Sequence, residues 1–220
     1  MKADPPNLPR ILILASGSGT NLQALIDASR ERDFPGQIIA LGCNQPKAFA
    51  LERAAQANLE TFVVNHKDFG SREEFDAALM AYILRYNPDL IVLAGFMRIL
   101  TTGFVRAFRG KLVNIHPSLL PLYTGLNTHQ RALDAGDKTH GASIHFVTEE
   151  LDGGPVIAKA EVAVAPEDTA ETLAEKVQKK EHLLYPIVVR WLCEGRVQLG
   201  RDHILFDGQS MDTPVCLPDS

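Results

Sequence analysis

The chain has 220 residues, 45% of them hydrophobic and 22% charged, and a formal net charge of −5. That is globular composition, long enough for one domain with a sizeable core, and the acidic balance without a basic block disfavours a nucleic-acid or anionic-membrane surface. The longest apolar runs, such as LIVLAGF at 90–96, are too short to span a bilayer, and the N-terminal MKADPPNLPR lacks the apolar stretch of a secretory signal.

In chain order, residues 1–9 read as a loose end. ILILAS (11–16) is an apolar strand that runs into SGSGTN (16–21) and then an amphipathic helix, NLQALIDASRERD (21–33). The alternation continues with strands at 38–44, 61–64, 90–95 and 112–116, and helices at 48–58 and 71–86. Thr20 with Gln23 and Ser71 with Glu74 have capping-box spacing at two helix starts. Strands that are apolar throughout and separated by helices imply a parallel sheet covered on both faces. The second half differs: strands at 141–147 and 155–164 are joined by TEELDGG, too short for a crossover helix, so they pair antiparallel. Asp168 with Glu171 has the spacing to cap a long helix reaching about Cys193, with Pro186 as a point of bending, and RVQLGRDHILFDG resembles a terminal hairpin. The expected architecture is α/β: a Rossmann-like, doubly wound, mostly parallel sheet with antiparallel strands added in the C-terminal half. It forms a single domain over 1–220, with 196–220 as a tail. Cys43, Cys193 and Cys216 are scattered, odd in number and form no C-x-x-C, which fits a reducing cytoplasm.

Four features carry chemistry. In SGSGTN the glycines let backbone approach a ligand and the helix start offers unpaired N–H groups, which suits a phosphate. An ordinary glycine-rich turn would read the same. A dinucleotide fits less well, because the third small residue is missing and the second strand ends in Asn44-Gln45-Pro46 rather than an acid. In LVNIHPSLLP (112–121), Leu112, Asn114 and His116 share one strand face and Val113 and Ile115 the other, and Pro117 ends the strand. Asn114 and His116 therefore stand together at a carboxyl end, where ligands of such sheets bind. Asp152 lies in the turn ELDGG, where aspartates also cap their own backbone. Glu181 sits in line with the apolar stripe Leu173, Val177, Leu184 and Val188, so an inward carboxylate needs a partner. His129, His140 and His145 form no metal-binding spacing, and no metal is expected.

The stretches SGSGTNLQALI, LAGFMRIL, NIHPSLLP, HGASIHFVTEELDGGPVI and QKKEH, in this order over about residues 10–190, resemble the folate-dependent formyltransferases, and among them the phosphoribosylglycinamide formyltransferase family of purine synthesis. The resemblance implies transfer of the formyl group of 10-formyltetrahydrofolate to the amine of 5-phosphoribosylglycinamide. Asn114, His116 and Asp152 would be the catalytic trio. Gly19, Thr20 and Asn21 would hold the phosphate, while Gln178, Lys179, Lys180 and Glu181 would line the other end of that substrate, Glu181 receiving its ammonium. The folate would lie against Met97, Arg98, Ile99 and Leu100 and against Thr148, Glu149, Glu150, Leu151 and Asp152, with Asn114 at its formyl group and Arg72 nearby. A cis peptide before Pro121 is implied as well. The partners would be small molecules, with no nucleic acid and no membrane, in the cytoplasm, and the resemblance is compatible with a homodimer. Leu122 and Thr124 depart from the residues usual in that loop. Rival readings are a formyl-folate hydrolase, another formyl-folate transferase, or an inactive nucleotide-binding module.

Overall fold

The computed structural model describes residues 8–201 and 203–218, so the loose end expected at the N-terminus lies, for residues 1–7, outside the described residues. The first half alternates as its hydrophobic pattern requires: β1 (Arg10–Ala15), α1 (Thr20–Ser29), β2 (Gln37–Cys43), α2 (Phe49–Gln56), β3 (Glu60–Val63), α3 (Arg72–Tyr86), β4 (Leu90–Leu93). There follow α4 (Thr102–Ala107), β5 (Leu112–His116), α5 (Thr128–Ala135), β6 (Thr139–Phe146), β7 (Val156–Ala163) and α6 (Ala170–Cys193). Four short strands close the chain: β8 (Val197–Leu199), β9 (Ile204–Phe206), β10 (Gln209–Met211) and β11 (Val215–Cys216).

The main sheet has the order β11-β7-β6-β5-β4-β1-β2-β3. Its neighbours from β3 to β5 are parallel, whereas β5–β6 and β6–β7 are antiparallel, as the short 148–154 connection demands. The chain winds outward from β1 through β2 to β3, then crosses back to β4 and β5 on the other side. The switch point therefore falls between β1 and β4. Val113 and Ile115 pack with α1 and α6 in one core layer, and Leu112 packs with α3 and α4 in the other. On α6 the stripe Leu173, Val177, Leu184 and Val188 is fully buried, each side chain contributing roughly 1.5–3 kcal/mol of apolar transfer. Tyr185, also fully buried, donates its hydroxyl to Leu93 O at 2.9 Å and so avoids an unpaired group under the sheet.

Some local expectations are corrected. The Thr20–Gln23 box does not form: Gly19 occupies the cap position of α1 at φ 72 with no side-chain bond. A Cβ there would lie 2.8 Å from Ala50 Cα, so the glycine allows α2 to press on the loop. At α3, Ser71 Oγ accepts Glu74 N–H, but the Glu74 carboxylate reaches Gly70 N instead of Ser71 N. The cap of α6 is Thr169 with Thr172, one residue beyond the expected Asp168–Glu171, because Asp168 is engaged by Ala165 N and Lys176. Helix α1 ends at Ser29, four residues short of the expected 33. Helices α4 and α5, six and eight residues long, were not foreseen because they are too short to show a repeat. The tail is a three-stranded meander instead of a hairpin, and β11 adds to the main sheet beside β7.

Candidate active site

At the carboxyl edge of β1, Ser16 sits on the switch point. Its N–H donates to Gly95 O at 3.1 Å; its hydroxyl donates to Asn44 Oδ1 at 2.6 Å and accepts Met97 N–H at 2.7 Å. One small side chain thus joins the glycine loop, the end of β2 and the loop after β4. The other end of that loop is tied by Asp76 of α3, buried, which accepts Thr101 N–H at 2.6 Å. Between the two ties Met97 and Ile99 are exposed, and Leu151 and Leu122 present further apolar surface. Arg98 stacks over the Phe75 ring at 5.2 Å, while Leu100 packs partly buried against the core layer of α3. Arg72 is exposed at the first turn of α3.

Asn114 and His145 are directly opposed across β5 and β6, and this register puts them on one face. His145 Nδ1 lies 3.0 Å from Phe146 O and its Nε2 lies 3.2 Å from Asn114 Nδ2. A neutral ring that donates at Nδ1 must accept at Nε2, so His145 takes one amide hydrogen of Asn114, and among the described residues no acceptor takes the second. Burial lowers the His145 pKa and keeps the ring neutral, as this pairing needs. His116 ends the same strand: its Nε2 is 2.8 Å from Tyr123 O and its Nδ1 is 3.5 Å from Asp152 Oδ2. Asp152 Oδ2 also accepts Gly125 N–H at 2.8 Å, and Oδ1 faces His145 Nε2 at 3.8 Å. The Asp152 carboxylate therefore serves a loop 27 residues away and the His116 imidazole; its side chain is only 8% exposed. Gly154 makes the return of this segment possible, since a Cβ there would lie 1.8 Å from Phe146 O. Ahead of Asp152, Glu149 pairs with Arg106 at 2.6 Å, and Thr148 and Glu150 lie in the same excursion. The peptide between Leu120 and Pro121 is cis.

The sequence reading set Asn21 and Glu181 at different ends of one substrate, but here Asn21 Nδ2 donates to Glu181 Oε2 at 2.8 Å. The stripe on α6 drives Glu181 inward, and burial raises its pKa, opposed in part by the Asn21 bond. Gln178 and Lys179 are exposed on the same helix and Lys180 is half-buried. The structure thus brings together Asn114, His116 and Asp152, and separately Asn21 and Glu181. Three contributors were missed: His145, Ser16 and Arg53, whose Nε donates to Ser18 O at 2.8 Å. The signal for His145 was its place two residues after Ser143, a polar alternation on one strand face like that of Asn114 and His116.

Four histidines (His129, His140, His145 and His182) have pKa values lowered mainly by burial, His140 to about 4. A histidine depressed in the fold is protonated first in the unfolded chain, so its stabilisation is present above about 6.5 and is lost as pH falls, for His140 towards about 4. Glu181, raised by burial, works in the opposite direction but is one group against four. The melting temperature is expected to fall between pH 7 and pH 5; calorimetry showing an unchanged melting temperature over that range would contradict the burial of these rings.

The formyl transferase family matches residues 9–189. The phosphoribosylglycinamide formyltransferase of Escherichia coli (strain K12) is 48% identical over 201 residues, 91% of this chain and 95% of that protein. The trifunctional purine biosynthetic protein adenosine-3 of Homo sapiens is 42% identical over 193 residues, 88% of this chain but 19% of that longer protein. The solved phosphoribosylglycinamide formyltransferase of Coxiella burnetii superposes with a TM-score of 0.92 at 44% identity, over 96% of this chain and all of that one.

Proposed function

The chain belongs to the formyl transferase family, and from that premise we propose that it transfers the formyl group of 10-formyltetrahydrofolate to the amino group of 5-phosphoribosylglycinamide, giving the N-formyl product and tetrahydrofolate in de novo purine synthesis. The observation that carries the reading is the convergence of Asn114, His116 and Asp152 around His145, with Asp152 Oδ2 3.5 Å from His116 Nδ1 and Asn114 Nδ2 3.2 Å from His145 Nε2. The exposed apolar loop residues Met97, Ile99 and Leu151 suit the ring system of a folate, with backbone groups of 97–100 and 148–152 for its polar edge. The backbone N–H groups at Gly19, Thr20 and Asn21 suit the phosphate. Three free thiols fit a cytoplasmic enzyme.

In the reaction a neutral amine attacks the formyl carbon, and negative charge gathers on the former carbonyl oxygen. The free amide hydrogen of Asn114 donates to that oxygen. His116 donates beside it once its Nε2–H exchanges the Tyr123 carbonyl for the formyl oxygen. The attacking amine loses a proton and the leaving folate nitrogen gains one; His116, with Asp152 as counter-charge, carries it. The Asn114 amide N–H and the His116 ring N–H supply the polarisation, so the chemistry calls for no metal. An assay of tetrahydrofolate release with both substrates tests the reading. Equal release without phosphoribosylglycinamide would make the protein a hydrolase.

The Asn21–Glu181 bond favours a revised role for Glu181. A carboxylate on α6 that is held by Asn21 of the phosphate-loop helix is suited to accept from the ribose hydroxyls, nearer the phosphate than the ammonium is. Glu181→Gln is expected to raise KM for phosphoribosylglycinamide about tenfold, the scale of a hydrogen bond to a charged group, with KM for the folate unchanged. Because burial raises the Glu181 pKa, the wild-type KM should also climb as the solution is acidified. A lower melting temperature with unaltered KM would return Glu181 to a purely structural role.

A further inference from the structure

We propose that Arg53 is a positioning residue of the phosphate cradle, fixing the Ser18–Gly19 peptide so that its N–H faces the anion; this rests on the reading of the glycine loop as that cradle. In a trans peptide the C=O and the following N–H point in opposite directions. Ala50 N donates to Gly17 O at 3.0 Å, and Arg53 Nε donates to Ser18 O at 2.8 Å. Helix α2 therefore draws two consecutive carbonyls towards itself and turns the N–H groups of Ser18 and Gly19 away from it. Among the described residues neither N–H donates to a protein acceptor. Successive N–H groups aimed at one side form an anion-binding concavity.

The guanidinium is well fixed for this task. It lies over the Phe49 ring, 5.0 Å from the centroid, and its Nη1 donates to Gln23 Oε1 at 3.2 Å. The planar fork lets one side chain serve Ser18 O and Gln23 together, which a lysine ammonium at the end of a flexible stem does less well. Its charge also reaches α6, where it adds to burial in lowering the His182 pKa. The cation thus stands beside the glycine loop and α1, and adds positive potential near the phosphate cradle. Ala50 completes the clamp, since its Cα leaves no room for a side chain at position 19.

The test compares equilibrium affinities, by calorimetry, for phosphoribosylglycinamide and for its dephosphorylated form, in wild type, Arg53→Met and Arg53→Lys. The wild type is expected to prefer the phosphorylated ligand strongly. Arg53→Met should reduce that preference by about tenfold, the scale of a hydrogen bond to a charged group, with affinity for the dephosphorylated ligand and KM for the folate unchanged. Arg53→Lys, which keeps the charge and folds under the same packing, should remain impaired because it lacks the in-plane Nε–H. A full preference in Arg53→Met, or its complete recovery in Arg53→Lys, overturns the positioning role while the cradle stands. A wild type that binds both ligands alike removes the cradle itself.

Discussion

Asp152→Asn is expected to lower turnover by about 10²-fold or more, the usual scale for lost acid–base catalysis. The substitution keeps shape and backbone. Asp152 stands at φ 52, a conformation that asparagine tolerates as well as aspartate, and the amide oxygen can still accept Gly125 N–H. What disappears is the negative charge 3.5 Å from His116 Nδ1. With Tyr123 O at one ring nitrogen and Asp152 at the other, the doubly protonated ring is the form that donates to both. Once the charge is gone, the amide NH₂ competes for the same place and the imidazolium formed during proton transfer has no counter-ion. Affinity for either substrate should change less, since the charge matters most as the proton moves. The measurement is kcat against pH, with separate binding titrations. A folded Asp152→Asn protein with wild-type turnover would leave Asp152 only its bond to the 122–127 loop.

Asn114→Asp should cost more still, about 10²–10³-fold in kcat, the loss seen when one oxyanion donor is removed. The two side chains are nearly isosteric, but a carboxylate has no hydrogen to offer and repels the charge developing on the formyl oxygen. It also removes the donor to His145 Nε2, whose ring is held neutral by burial and by its Nδ1 bond to Phe146 O. Two acceptors would then face each other at 3.2 Å unless the histidine takes up a proton. Folate affinity should stay near wild type, because the proposed folate contacts lie along the 97–100 and 148–152 backbone. Single-turnover formyl transfer in the Asn114→Asp protein, with melting temperature as the folding control, decides the matter. A rate within tenfold of wild type would exclude Asn114 as an oxyanion donor.

The sequence by itself determined the sheet and its edge chemistry. Uninterrupted apolar strands between amphipathic helices can only be buried on both faces, and the seven-residue gap before Pro155 permits only an antiparallel return. Alternation along 112–116 placed Asn114 and His116 on one face at a strand end, and the helical stripe on α6 turned Glu181 inward. These are local periodicities, readable without knowing what lies opposite. Tertiary structure alone decided the partners. That Asp152 serves Gly125 and His116 instead of capping its own turn depends on Gly154 passing against Phe146 O. That His145 sets the Asn114 amide depends on the β5–β6 register, and that Gly19 faces α2 depends on how closely Ala50 approaches. The Asn21–Glu181 bond joins residues 160 apart in the chain. Such contacts are chosen by packing between elements, and no period of 2 or 3.6 residues encodes them.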